Sequence, residues 1–209
     1  MDKIKNRAES EKKFINATLK LLAQNGIKKL GIRSIARKAE LNPMLIYRYF
    51  NNLEGLLHAV AESAQFWPDT VSLKNNVLKT AGKNPDYPTL VTSIIKTYIK
   101  ELEQRPLTQE IMKWELLEPS PLAESLNIKR ERVGVELTQE LLKLYPSLNN
   151  ENIICISSIL VAGLTYLFLK KDSSNLWKSY NITTKSTWDN FFGTIQTSLG
   201  AMFETGCRK

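Results

Sequence analysis

The sequence predicts an all-α protein, with a small N-terminal three-helix domain of helix-turn-helix type and a larger helical body. Three observations carry that reading. Apolar residues recur at helical spacing, with no sustained strand-like alternation or hairpin signal. Prolines divide the chain into helix-length pieces. Residues 1–50 hold 12 Lys and Arg against 4 Asp and Glu, whereas residues 51–209 hold 17 of each class. The whole excess of +8 therefore sits in the first quarter, the pattern of a polyanion-binding head on an electrically balanced body.

The first helix is expected from about Arg7 to Asn25, with Phe14, Thr18, Leu21 and Leu22 on one stripe and Gly26 as its C-terminal cap. Two short helices follow within 31–50. In the first, Ile32, Ile35, Ala36 and Ala39 fall at helical spacing, and Ala36 is small where two helices cross closely. In the second, Ile46 and Phe50 lie four apart and face that stripe, while Pro43 suits the first turn and Asn42 its N-cap. Asn52 can cap a helix ending before Pro68 and carrying Leu56, Leu57, Val60 and Ala64. Further helices are expected near 70–81, 88–105, 107–117, 122–145, 150–171 and 185–205, jointed at Pro88, Pro106, Pro119, Pro121 and Pro146. Residues 172–184 lack periodicity and read as a loop. This gives a helix-turn-helix head over 1–52, a linking helix over 53–67, and a helical body over 68–209.

Composition excludes several classes. Hydrophobic residues make up 43% and charged residues 24%, ordinary for a soluble globular chain. Cys155 and Cys207 are too few for a disulfide framework, and no basic-then-apolar N-terminal signal is visible, so a cytoplasmic location is expected. Residues 153–169 carry no formal charge, but Ser157, Ser158, Gly163 and Thr165 interrupt the run. A span needs roughly 20 predominantly apolar residues, so a buried subunit contact is expected here and a membrane is not. His58, the single histidine, sits among Leu56, Leu57 and Val60. No nucleophile has a recognisable base partner, and neither a phosphate loop nor zinc-ligand spacing appears, so no enzyme, cofactor or metal is expected.

Turning Ile46 and Phe50 inward leaves Met44, Leu45, Tyr47 and Arg48 pointing outward. A helix-turn-helix lays such a face in the major groove, its N-terminal residues meeting base edges. Tyrosine hydroxyls can bond phosphate oxygens and fix register without reading sequence. Arg33, Arg37, Lys38 and Arg48 would by themselves be an ordinary solvated face; the turn geometry and the exposed tyrosines make them a DNA-binding face.

The arrangement from Phe14 to Leu57 resembles the N-terminal domain of the TetR family of bacterial transcriptional regulators. Gly26, Ile35-Ala36, Ala39, Ile46-Tyr47-Arg48-Tyr49-Phe50, Glu54 and Leu56-Leu57 carry the resemblance, over roughly the first third of the chain. It implies that Arg33, with Ser34 beside it, reaches bases or phosphate, that Asn42, Pro43, Met44 and Leu45 form the base-facing start of the recognition helix, and that Tyr47 and Tyr49 contact phosphate. Three residues depart from the family pattern. Leu53 stands where a lysine is usual, Glu40 replaces the usual turn glycine, and Gly31 replaces a Ser/Thr cap. If the turn at Glu40 needs φ > 0, strain of order 1 kcal/mol follows.

In the body, large and small apolar residues mix on the last two expected helices. Ser158, Ala162, Gly163, Tyr166, Trp188 and Phe192 suit a four-helix interface between two copies of the chain. Two recognition helices would then meet successive turns of a pseudo-palindromic operator. Phe66, Trp67, Tyr98, Met112, Trp114 and Tyr145 are candidates to line a site for a small apolar or amphipathic effector, and Glu115 and Glu118 flank Trp114. The resemblance implies that such an effector shifts the spacing of the two heads. The reading is thus a homodimeric, sequence-specific DNA-binding regulator, a ligand-responsive repressor. The alternatives are a DNA-binding co-regulator without a small-molecule ligand, or a basic-headed helical protein that binds membrane lipid or RNA.

Overall fold

A computed structural model describes residues 2–26, 30–63, 65–82, 84–117, 121–143, 150–171 and 181–206. All regular structure among them is helical: α1 (Asp2–Asn25), α2 (Ile32–Ala39), α3 (Met44–Phe50), α4 (Leu53–Ala61), α5 (Thr70–Ala81), α6 (Tyr87–Glu103), α7 (Pro106–Leu117), α8 (Pro121–Leu142), α9 (Asn150–Lys170) and α10 (Lys185–Gly206). Every expected helix is present. The expected helix after Asn52, however, stops at Ala61 instead of running to Pro68. The chain turns there because the Ser63 hydroxyl donates to the Val60 carbonyl and the Phe66 N–H to the Ser63 carbonyl. Ala64 lies outside the described residues.

The chain forms two compact units. The first joins residues 1–69 to 105–134, and the second joins 70–104 to 135–209. Residues 105–134, read in sequence as part of the body, thus group in space with the head.

In the first unit, Phe14 and Ala17 of α1, Ile35, Ala36 and Ala39 of α2, Ile46 of α3 and Leu56 of α4 make one buried cluster. Thr18 is buried among them without an orphan hydroxyl, since it donates to the Phe14 carbonyl at 2.8 Å. The Phe50 ring meets Phe14 edge-on at 6.1 Å. Gly26 ends α1 with φ 72°, and a Cβ there would lie 3.3 Å from the Trp114 indole, so glycine answers both the turn and the close packing of α7. The buried Thr108 hydroxyl of α7 donates to the Phe66 carbonyl at 2.8 Å, and the Arg105 guanidinium lies 5.8 Å from the centre of the Trp67 ring. Lys129 of α8 is buried and donates to the Glu62 carbonyl at the end of α4, while Arg132 pairs with the Glu62 carboxylate at 2.7 Å. Burial holds the Lys129 ammonium below its ordinary pKa, against the pull of Glu62.

The second unit is built around α6. Asp86 caps it by accepting from the Thr89 N–H at 2.8 Å, and Pro88 occupies its first turn. Its apolar face, with Leu90, Val91, Ile95 and Leu102, is buried; burial also pushes the Tyr87 hydroxyl up to about 12. The buried Glu101 carboxylate accepts from Asn76 of α5 at 3.1 Å. Phe168 of α9 packs against Trp188 of α10 at 5.9 Å, and the Trp188 indole N–H donates to the Ile182 carbonyl at 3.0 Å.

Candidate nucleic-acid interface

The reading head is set by three local devices. At the start of α2, the Ser34 hydroxyl donates to the Gly31 carbonyl at 2.7 Å and accepts from the Gly31 N–H at 3.2 Å. At its end, Glu40 has φ 56° and ψ 40°. There the Glu40 N–H bonds the Arg37 carbonyl and the Leu41 N–H bonds the Ala36 carbonyl, a Schellman closure with glutamate in the left-handed position. The turn thus requires the positive φ that makes glycine usual there. Asn42 then caps α3 as expected, its side-chain oxygen accepting from the Met44 N–H at 2.9 Å.

With Ile46 in the core, α3 presents Met44, Tyr47 and Arg48 to solvent, Met44 at 66% exposure. Gly31, Ile32, Arg33, Ser34, Pro43, Met44, Tyr47 and Leu53 line an open groove of about 730 Å³ on this face. It brings together five of the nine residues assigned to DNA: Arg33, Ser34, Pro43, Met44 and Tyr47. Asn42 and Arg48 are exposed but outside the groove lining. Leu45, expected to point outward, is half-buried and packs against the core cluster. It flanks Ile46 on a seven-residue helix that needs a broad apolar face to hold its place. Tyr49 is half-buried too; its ring lies under the Arg7 guanidinium at 5.3 Å and meets Phe50 edge-on. Gly31, Ile32 and Leu53 complete the lining and are outside the residues assigned to DNA. Leu53 supplies an apolar wall to the groove.

Arg33, Arg37, Lys38 and Arg48 are exposed, and among the described residues none of them forms an ion pair. Their charge is available to an external anion rather than neutralised internally.

The residues assigned to an effector fall in both units. Phe66, Trp67 and Met112 are buried in the first unit, with Trp114 half-buried against Gly26, whereas Tyr98 belongs to the second unit and receives the Thr165 hydroxyl at 3.0 Å. Tyr145 and Glu118 lie outside the described residues. Asn127 of α8 is buried; its amide donates to the Glu115 carboxylate of α7, and its side-chain oxygen has no hydrogen-bond partner. Desolvation raises the Glu115 pKa, against the pull of Arg130.

The residues assigned to a subunit interface divide as well. Ser158, Ala162, Gly163 and Tyr166 lie on one exposed face of α9, which also carries Ile159 at 70% exposure. Trp188 is half-buried and Phe192 is buried in its own unit, beneath the Lys96 ammonium at 5.4 Å. The exposed face of α10 carries small residues instead, Gly193, Thr194, Thr197 and Ser198. Among the described residues no helix is long and apolar enough to cross a membrane, and no group of three His, Cys, Asp or Glu side chains is placed to hold a metal.

Residues 14–60 match the model for the bacterial regulatory proteins of the tetR family. Among solved structures, the fatty acid degradation regulator FadR from Bacillus halodurans aligns with a TM-score of 0.58 at 16% identity, over 90% of this chain and 92% of its own. A TetR-family transcriptional regulator from Haemophilus influenzae aligns at 0.56 and 15% identity, over 92% and 97%. A hemolysin II transcriptional regulator aligns at 0.51 and 19% identity, over 80% and 93%. No curated protein matches the chain in sequence. At these identities the structural likeness establishes the fold, and the family model identifies the head. The resemblance read from Gly26, Ile35-Ala36 and Ile46–Phe50 holds, and the family-model match marks residues 14–60 as the DNA-binding head of a transcriptional regulator.

Proposed function

We propose that the chain acts as a homodimeric repressor that binds a pseudo-palindromic operator and leaves it on binding a small amphipathic effector. One observation carries the reading: the exposed start of α3 lies beside a groove that Arg33 lines, on a head that holds the entire positive excess of the chain and whose Arg33, Arg37, Lys38 and Arg48 form no ion pair among the described residues. Arg33 and Arg48 anchor phosphates or guanine edges, Tyr47 sets register, and the first turn of α3 meets the bases.

The exposed small-residue faces of α9 and α10 support pairing with a second copy, since small side chains let helices of two subunits approach closely. For the effector, the buried Asn127 oxygen without a partner and the desolvated Glu115 carboxyl beside the apolar Met112 support an amphipathic molecule with a hydrogen-bond donor. Such a molecule releases DNA only if it binds the non-DNA conformation more tightly. A cytoplasmic setting and absence of enzymatic activity belong to the same reading.

Fluorescence anisotropy at near-physiological salt tests it, with random-sequence duplex DNA, single-stranded RNA and anionic phosphatidylserine vesicles compared at equal phosphate. The reading requires duplex DNA to bind most tightly; stronger binding of RNA or vesicles would contradict it.

A further inference from the structure

We propose that Met44, backed by Pro43 and Leu53, reads the C5-methyl groups of thymine in the major groove. The inference rests on the DNA-binding reading above and specifies what its face recognises. Two polar side chains that sequence would assign to base reading are occupied within the head. The Ser34 hydroxyl both donates to and accepts from the Gly31 backbone, and the Asn42 side-chain oxygen is taken by the Met44 N–H. Leu45 is turned into the core cluster. At the start of α3 the outward apolar surface is Pro43 and a Met44 side chain at 66% exposure, beside the exposed Tyr47 and the Asn42 amide N–H donors. Ile32 and Leu53 continue that apolar wall around the groove.

An apolar groove on a cationic face fits one element of duplex DNA. Phosphates satisfy the cations at its edges, and the methyl group of thymine is the apolar feature of the major-groove floor. Met44 suits the contact, because an unbranched thioether fills an irregular gap with few steric demands. Arg33 and Tyr47 line the same groove and leave hydrogen-bond readout to the neighbouring positions. The half-site is thus specified by thymines at one or two positions facing the start of α3.

The test uses the duplex recovered by selection from random sequence, with each thymine replaced in turn by deoxyuridine. That exchange deletes one methyl and keeps the pairing and the O4 acceptor. Dissociation constants are expected to rise roughly three- to fivefold at one or two positions in each half-site, the scale of losing one buried methyl. Met44→Ala, at an exposed position, should keep the circular dichroism spectrum, yet bind the thymine and deoxyuridine duplexes equally. A selected site without thymine, or one indifferent to every deoxyuridine exchange, overturns the methyl assignment and leaves DNA binding intact. An unchanged penalty in Met44→Ala assigns the methyls to another side chain and also overturns it. Failure to recover any preferred duplex overturns both the assignment and the reading beneath it.

Discussion

A Cβ on Gly55 would stand 1.9 Å from the carbonyl oxygen of Phe50. The end of α3 and the first turn of α4 therefore touch backbone to backbone, with no room for any side chain at position 55. Asn51, at φ 72°, makes the bend, and Asn52 closes it by accepting the Gly55 N–H at 2.8 Å. The recognition helix is thus fixed to α4 by its backbone as well as by its apolar face.

Gly55→Ala should accordingly lower the stability of the head by about 1–3 kcal/mol, the usual scale of overpacking, because backbone rather than a flexible side chain must give way. Urea denaturation reads the loss, and binding to duplex DNA should weaken with it as α3 tilts. An unchanged midpoint would show that α3 and α4 separate freely.

Glu40→Gly should do the opposite. The left-handed conformation at φ 56° costs a residue with a Cβ about 1–2 kcal/mol relative to glycine. A gain of about 1 kcal/mol is expected, which in a chain of this size is roughly 2–4 °C in melting temperature. A loss of stability would show that the Glu40 side chain contributes more than its backbone strain costs.

Burial raises the Glu115 pKa above its ordinary 4.5. The folded chain then binds that proton more tightly than the unfolded chain. The resulting support for the fold is complete below the ordinary carboxylate value and is lost as pH rises through the raised one. Glu115→Gln remains neutral and can still accept from Asn127. It should raise the urea midpoint at pH 7 and give little gain at pH 4. Equal gains at both pH values would rule out titration as the cause.

Ala162→Arg places a charge in the middle of the exposed α9 face. If that face joins two copies, the variant should sediment as a folded monomer, with affinity for an inverted repeat reduced at least tenfold as the two heads lose their linkage. A variant that remains dimeric would move the interface elsewhere.

Much of this architecture is legible in the sequence because its signals are local. Gly26, Pro88, Pro106 and Pro121 end or start helices through their own backbone restrictions, and Ile35, Ala36, Ile46 and Phe50 mark the head by spacing. The misses are tertiary. The apolar spacing after Asn52 runs on past Val60, so the turn at Ser63 is invisible until its hydrogen bonds are seen. Leu45 and Phe192 each sit at the edge of an apolar stripe, where spacing does not decide between core and surface. The collision that reserves position 55 for glycine involves a carbonyl five residues away, and no propensity encodes it. The grouping of 105–134 with the head depends on long-range contacts such as Thr108 with Phe66.

Selection of binding sites from random duplex DNA at near-physiological salt, followed by a gel-shift titration of the recovered sequence, tests the central claim most directly. The account predicts one inverted repeat, its half-site centres about 34–36 Å apart or a multiple of that, bound by two copies of the chain. Recovery of no preferred sequence, with binding that tracks phosphate and salt alone, would contradict it and reduce the head to a general polyanion-binding surface.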